Sequence, residues 1–252
     1  MKQIDLNLDA GESLEALRNG SEEALYRIVS SVNIACGGHT GDVTSMSESV
    51  RLALAHGLKI GAHPSYPDRE NFGRRTLNVA KDELTKSLIE QIQAFLKVCA
   101  HFGAKLSHVK THGALYNDSA QNIDLADCVL RAVRAIDDQL VVVTLADSPF
   151  HQFARREGFA VRGEAFVDRY YESNGRLRSR ALPDAVIEDP SRAASQALDI
   201  VENGTLMAYD GTLLRVNAAT LCIHGDSPNA LAVANAVRER LSKRGIEIRA
   251  GD

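Results

Sequence analysis

The chain is poor in the features that commit a protein to secretion, to a membrane or to a nucleic acid. It has only 4 cysteines, Cys36, Cys99, Cys128 and Cys222, scattered without a C-x-x-C pair. Each lies within an apolar pattern, so buried reduced thiols and a cytoplasmic location are expected. Lys2 and Asp5 charge the chain at once, which is wrong for a signal peptide, and no apolar run approaches bilayer-spanning length. Charge of one sign is lacking too. The formal net charge is −4, with no arginine–lysine run and no aromatic–basic interleaving, so no nucleic-acid surface is implied. H-E-x-x-H, G-x-S-x-G and G-x-x-x-x-G-K-[ST] are all absent, which argues against zincin proteases, nucleophile-elbow hydrolases and P-loop enzymes.

What is present is ordinary in bulk: 252 residues, 44% hydrophobic and 25% charged, enough for a sizeable core and for one (β/α) barrel domain over residues 1–252. The spacing predicts strands over 4–9, 32–36, 58–62, 106–111, 140–145, 159–163 and 220–223. Helices over 21–28, 79–102, 123–136, 150–157, 191–201 and 227–244 alternate with them. The helix after the second strand carries Ser45-x-x-Glu48 as a capping box and closes at His56-Gly57. Asp210-Gly211 marks a hairpin, residues 246–248 a last short strand, and residues 171–189 a long polar loop over the barrel mouth.

Alternation places Asp5, Asn7 and Asp9 on one face of the first strand and Ile4, Leu6 and Leu8 on the other. Lys59 and His63, and His108, Lys110 and His112, share faces in the same way. An open doubly wound sheet would be apolar on both faces. A polar face backed by an aliphatic one indicates an α/β barrel, with seven main parallel strands, whose ligands sit at the strand carboxyl ends.

The stretch Asn33-Ile-Ala-Cys-Gly-Gly-His-Thr-Gly-Asp42 sets the pattern of a strand end with paired glycines, an imidazole and a carboxylate. The same grammar recurs and gathers Asp5, Asn7, Asp9, Glu12, His39, Asp42, His63, Asp68, Lys110, His112, Glu164, Asp168, His224 and Asp226 at one mouth. A single strand-end histidine is more often packed or solvated than reactive; the recurrence is what points to a site. His56, His101 and His151 lie on helices or their ends and read as structural. Such a set binds a divalent metal, with Asp5, His39 and His63 as candidate ligands, or works without one. In the second case an aspartate activates water and a histidine or lysine protonates a leaving nitrogen. Gly37 and Gly38 offer main-chain N–H groups to an oxyanion or phosphate.

Asp5-Leu6-Asn7-Leu8-Asp9-Ala10-Gly11-Glu12, the stretch just quoted, and Gly61-Ala62-His63-Pro64-Ser65-Tyr66-Pro67-Asp68 with Phe72-Gly73-Arg74-Arg75 form an ordered series. Residues 108–117, residues 164–170 and Ile223-His224-Gly225-Asp226 continue it. Over nearly the whole chain this series resembles the motifs of the LamB/YcsF lactam-utilisation family. The resemblance implies a barrel related to glycoside hydrolases and polysaccharide deacetylases. It also implies opening of the 5-oxoproline (pyroglutamate) lactam to glutamate by an ATP-dependent 5-oxoprolinase, with ATP as co-substrate and two partner subunits. One departure is Thr111, where the family pattern has proline; no reactive group is lost. The implied substrate is an anion, and Lys110, Arg74, Arg75 and Arg169 are candidates to hold its carboxylate or an added phosphate. Asp68, Glu164 and Asp168 stand near them as substrate-binding candidates. The alternatives are a metal-dependent deacetylase-like hydrolase and a non-catalytic substrate-binding subunit. The many carboxylates count against the second, because an anion does not need them for affinity.

Overall fold

In strand β1 (Lys2–Ala10), Leu6, Leu8 and Ala10 point to one side and Asp5, Asn7 and Asp9 to the other, and both sets are buried. A sheet with an apolar face for helices and a polar face that also needs shielding satisfies both by closing on itself. A computed structural model, which describes residues 2–251, has this closed form. Strands β2 (Ser31–Ala35), β3 (Lys59–His63), β4 (Leu106–Lys110), β5 (Val141–Leu145) and β6 (Val161–Phe166) follow β1 in parallel order. A separate antiparallel hairpin, β7 (Thr205–Met207) and β8 (Leu213–Arg215), turns at Asp210-Gly211. Then β9 (Thr220–His224) pairs with both β6 and β1 and completes a seven-stranded parallel barrel. Strand β10 (Ile246–Ile248) adds to the first residues of β1.

The outer ring consists of α1 (Leu14–Asn19), α2 (Ser21–Tyr26), α3 (Val43–Ala55), α4 (Lys81–His101), α5 (Gly113–Gln121), α6 (Ile123–Ile136), α7 (Pro149–Arg156), α8 (Pro190–Asn203) and α9 (Ala230–Lys243). The longest, α4, buries Leu84, Leu88, Ile92 and Phe95 at helical spacing. Removing one such anchor, as in Phe95→Ala, costs about 3–5 kcal/mol because the cavity collapses only in part. No helix among the described residues is long and apolar enough to cross a membrane. All four cysteines are buried and free.

The structure differs from the sequence expectation in several places. The α3 capping box is Asp42 with Ser45, not Ser45 with Glu48: Ser45 N–H donates to Asp42 Oδ1 and the Ser45 hydroxyl receives the Asp42 N–H. Helices α1 and α5 were not expected. The first is one short turn between glycines, capped by Ser13, and the second starts on Gly113 and buries only one side of a polar segment. Strand β6 spans Val161–Phe166 rather than 159–163. Glu164 interrupts the apolar pattern, yet the strand continues through it because Lys110 meets the carboxylate inside the barrel. The span 171–189 is a loop, pinned by isolated bridges from Arg169 to Val186 and from Tyr171 to Leu177.

Candidate active site

The lumen is polar from end to end, but its layers differ in kind. At the amino-terminal floor, Asp5 accepts hydrogen bonds from Ser30 Oγ (2.7 Å), Ser31 Oγ (2.9 Å) and Thr220 Oγ1 (2.7 Å). Above it, the Asn7 amide donates to Glu164 Oε1 (2.9 Å) and Thr220 Oγ1 (2.7 Å) and receives Asn33 Nδ2 (2.8 Å). Lys110 rises from β4 into the middle of this layer. Its Nζ lies 2.8 Å from both Asp9 Oδ1 and Glu164 Oε1, 3.3 Å from Asn7 Oδ1 and 3.2 Å from Cys222 Sγ. The faces of Tyr116 and Phe166 lie beside it. Burial by itself pushes a lysine pKa down, but Asp9, Cys222 and Glu164 together hold this one well above its ordinary value. Lys110 is a buried, fully engaged ammonium.

At the carboxyl end the balance of donors and acceptors reverses. His63, the last residue of β3, donates from Nδ1 to the Lys110 carbonyl (2.8 Å), and His112 donates from Nε2 to the Phe72 carbonyl (3.0 Å). A carbonyl can only accept, so these bonds assign the tautomers. His63 Nε2 and His112 Nδ1 then face each other across 3.0 Å. Asp9 Oδ2 stands 3.3 Å from His63 Nε2, and Glu12 Oε1 stands 3.2 Å from His112 Nδ1. Two ring nitrogens and two carboxylate oxygens therefore converge on one small space. A shared proton or a metal ion suits that arrangement. His39 stacks on His112 at 3.6 Å and donates from Nε2 to Glu12 (3.2 Å), which leaves its buried Nδ1 without a partner.

Electrostatics sharpens the same picture. Burial opposes ionisation of Asp9, but His63 and Lys110 hold its carboxyl well below the usual range. Burial likewise opposes ionisation of Glu12, and the bonds from His112 and His39 bring it far below normal. Burial pushes His39 down to about 3 and lowers His112, so both rings are neutral near pH 7. Beside Asp9, Asp168 accepts both the backbone N–H (2.9 Å) and Nδ1–H (2.9 Å) of His224, whose ring stacks on Phe166. Those bonds leave His224 Nε2 as its free ring nitrogen.

A cavity of about 440 Å³ opens over Asp9 and Glu12, walled by Phe72, Glu22, Asp226 and Pro228. A larger one, about 690 Å³, lies between Tyr66, Asn78, Asn117 and Arg176. Neither is lined by the converging histidines, but only the smaller one is lined by Asp9 and Glu12, which meet them.

Several expected site residues lie elsewhere. Asp5 sits at the floor, down the lumen from the histidines, and belongs to no group of converging ligand atoms among the described residues. The trios that converge are Asp9, His63 and His112, then Glu12, His39 and His112, then Asp9, Cys222 and His224, so His39 and His63 stand among possible ligands and Asp5 does not. Asp42 caps α3. Asp68 Oδ1 accepts from the Asn71 backbone and side-chain amides and shapes the 68–73 turn. Gly38 is required by packing, since a Cβ there would meet Gln91 Oε1 and Ser65 Oγ at 2.4 Å, and the Gly37 N–H is used by Thr40 O within the turn. Glu164 is fully buried beneath the mouth. Arg169, 4% exposed, donates to the Ala185 and Arg178 carbonyls and so holds the long loop rather than facing the cavity. Arg74 and Arg180 both bind Asp226 at the rim, and Arg75 is exposed. Asn33, the Phe72 carbonyl, Cys222 and Glu22 join the site without having been expected. None carried a local signal, because each owes its place to a neighbour distant in sequence.

The chain matches the LamB/YcsF family across residues 4–252. It is 46% identical over 249 residues to a 5-oxoprolinase subunit of Chloroflexus aggregans, covering 99% of each chain. To the corresponding 5-oxoprolinase subunit of Heliobacterium modesticaldum it is 47% identical over 249 residues, covering 99% of this chain and 98% of that one. The solved structure of a lactam utilization protein from Thermus thermophilus superposes with a TM-score of 0.91 at 42% identity, over 99% of this chain and 100% of that one. A peptidoglycan deacetylase from Bacillus subtilis has a TM-score of 0.50 at 11% identity, over 98% and 87% of the chains, a likeness of fold alone.

Proposed function

The chain belongs to the LamB/YcsF family, and on that premise we propose that it is the ring-opening component of an ATP-dependent 5-oxoprolinase. The observation that carries this reading is the convergence of His63 Nε2, His112 Nδ1, Asp9 Oδ2 and Glu12 Oε1, with the Asp168–His224 pair beside Asp9. Asp9 or Glu12 takes a proton from water, and the water oxygen bonds to the ring carbonyl carbon. The C–N bond then breaks as the nitrogen receives the proton taken from water, relayed from that carboxylate through the free Nε2 of His224, which Asp168 orients through Nδ1–H. Because the lactam oxygen carries the phosphoryl group, the opened ring is an acyl phosphate, and a second water displaces inorganic phosphate from it to leave glutamate.

An unstrained five-membered lactam opens with little driving force, so coupling to ATP is physically sensible. Phosphorylation of the lactam oxygen makes the ring carbon electrophilic. The sequence carries no phosphate-loop pattern, and we assign that step to two partner subunits. A divalent metal fits Asp9, His63 and His112, whose ligand atoms lie within 4.8 Å of one another with two imidazole lone pairs facing inward. When bound, it would polarise the ring carbonyl. The same trio favours, as a second reading, a metal-dependent hydrolase of the deacetylase type.

Reconstitution tests this. With both partners, ATP consumption and glutamate release are expected in step, and the lone chain is expected to show neither. Ring opening by the lone chain without ATP would overturn the division of labour. Metal analysis of protein purified without chelator, followed by chelation and add-back, decides between metal and shared proton. Turnover indifferent to chelation removes the metal.

A further inference from the structure

One wall of the active-site cavity takes no part in the chemistry above. Glu22, in the first turn of α2, lines the cavity beside Glu12 and Phe72. It is buried, and the groups acting on it are Gly11, Tyr26 and Glu12, none of them a cation. Two hydrogen bonds reach it, from Gly11 N–H (2.7 Å) and Tyr26 O–H (3.2 Å), and both fall on Oε1. Gly11 is built for this contact: its φ is +70°, and a Cβ would meet Ser49 Oγ of α3 at 2.8 Å. Oε2 is thereby left as the oxygen turned toward the cavity. An oxygen that accepts two bonds is well suited to be the carbonyl of a protonated acid, with the hydroxyl on the other oxygen.

The other charged groups of the wall are acidic, Asp9, Glu12 and Asp226, and its remaining polar side chains are the hydroxyls of Ser13, Ser21 and Ser227. A small anion entering it needs a donor that carries no negative charge. We infer that Glu22 is a substrate-binding residue whose Oε2–H donates to the carboxylate of the lactam acid, the end of the molecule that does not react. The inference rests on the 5-oxoproline reading. Burial supports it, pushing the carboxyl up to about 7 against the bonds from Gly11 and Tyr26, with Glu12 adding to the rise. On the α9 side the wall is Ala230 and Leu231, which do not titrate. Such a contact binds the anion only while Glu22 keeps its proton, so affinity falls as pH rises through neutrality.

The test uses the reconstituted complex, with steady-state kinetics from about pH 6 to about pH 9. The wild-type KM for 5-oxoproline is expected to climb above neutrality. Glu22→Gln keeps a donor in place, so its KM should stay within about threefold of wild type near neutral pH and lose the climb. Glu22→Leu should raise KM about tenfold or more, with kcat changed less. Thermal melts of both variants identify any that misfold, and an infrared difference spectrum of wild type against Glu22→Gln reports the protonated carboxyl directly. A Glu22→Gln variant that follows the wild-type pH profile, a folded Glu22→Leu variant with unchanged KM, or no protonated-carboxyl band each overturns the proposal alone. A wild-type complex with no 5-oxoproline turnover overturns the functional reading and this proposal with it.

Discussion

At the floor of the barrel Asp5 meets the hydroxyls of Ser30, Ser31 and Thr220. At the mouth the carboxylates of Asp9 and Glu12 and the imidazoles of His63 and His112 converge with few protons to share. Both regions are buried, both are built from inward-facing polar residues, and β1 contributes a carboxylate to each. The difference lies in satisfaction. A donor for every acceptor makes a rigid polar floor that holds strands together. Acceptors in excess make a place where a proton, a metal or a reacting group must enter, and that deficit is what separates chemistry from architecture.

Breaking the mouth should have the largest effect. Asp9→Asn or His63→Ala is expected to lower turnover in the reconstituted complex about a thousandfold while the melting transition survives. Wild-type rates in either folded variant would remove these groups from the mechanism. Lys110→Met joins the two regions, because it strands Asp9 and Glu164 as buried carboxylates. Urea unfolding should show a loss of about 3–5 kcal/mol.

The floor should respond in the opposite sense. Asp5→Ala leaves three hydroxyls short of an acceptor and should cost about 1–3 kcal/mol in urea unfolding, with kcat of the folded protein retained. Loss of kcat at full stability would instead place Asp5 in the chemistry. The finest test is acid sensitivity. Burial holds His108 down to about 3, below its ordinary value, so the fold prefers the neutral ring. That preference stabilises the protein above the unfolded histidine pKa and is lost as pH falls toward 3, at about 1.4 kcal/mol per pH unit. His39 and His112 act with the same sign. The urea midpoint should therefore drop between about pH 7 and about pH 5, and less steeply in His108→Gln, whose amide can still donate to Asn33.

Much of this was legible in sequence. Alternation in β1, β3 and β4 placed Asn7, Asp9, His63 and Lys110 inside, and glycines after the strands marked the carboxyl ends where His39, His112 and His224 gather. What was not legible shares one cause. Arg169 looked like a substrate clamp, but its donors go to carbonyls of a loop that only folding brings back over it. Glu22 does lie in the first turn of its helix, but its surroundings come from Gly11 and the cavity, which no local pattern announces.

Which face of a strand a side chain occupies is a property of two-residue periodicity, and the amino-acid order settles that locally. How deep in the barrel it lies is a property of register, such as Asp5 level with Thr220 and Asp9 level with His224. Register is set by pairings between segments more than two hundred residues apart, and no local pattern encodes it. That is why the sequence alone could place Asp5 and Asp9 on one inner face, while only the closed barrel made the first a satisfied floor and the second part of a mouth short of donors.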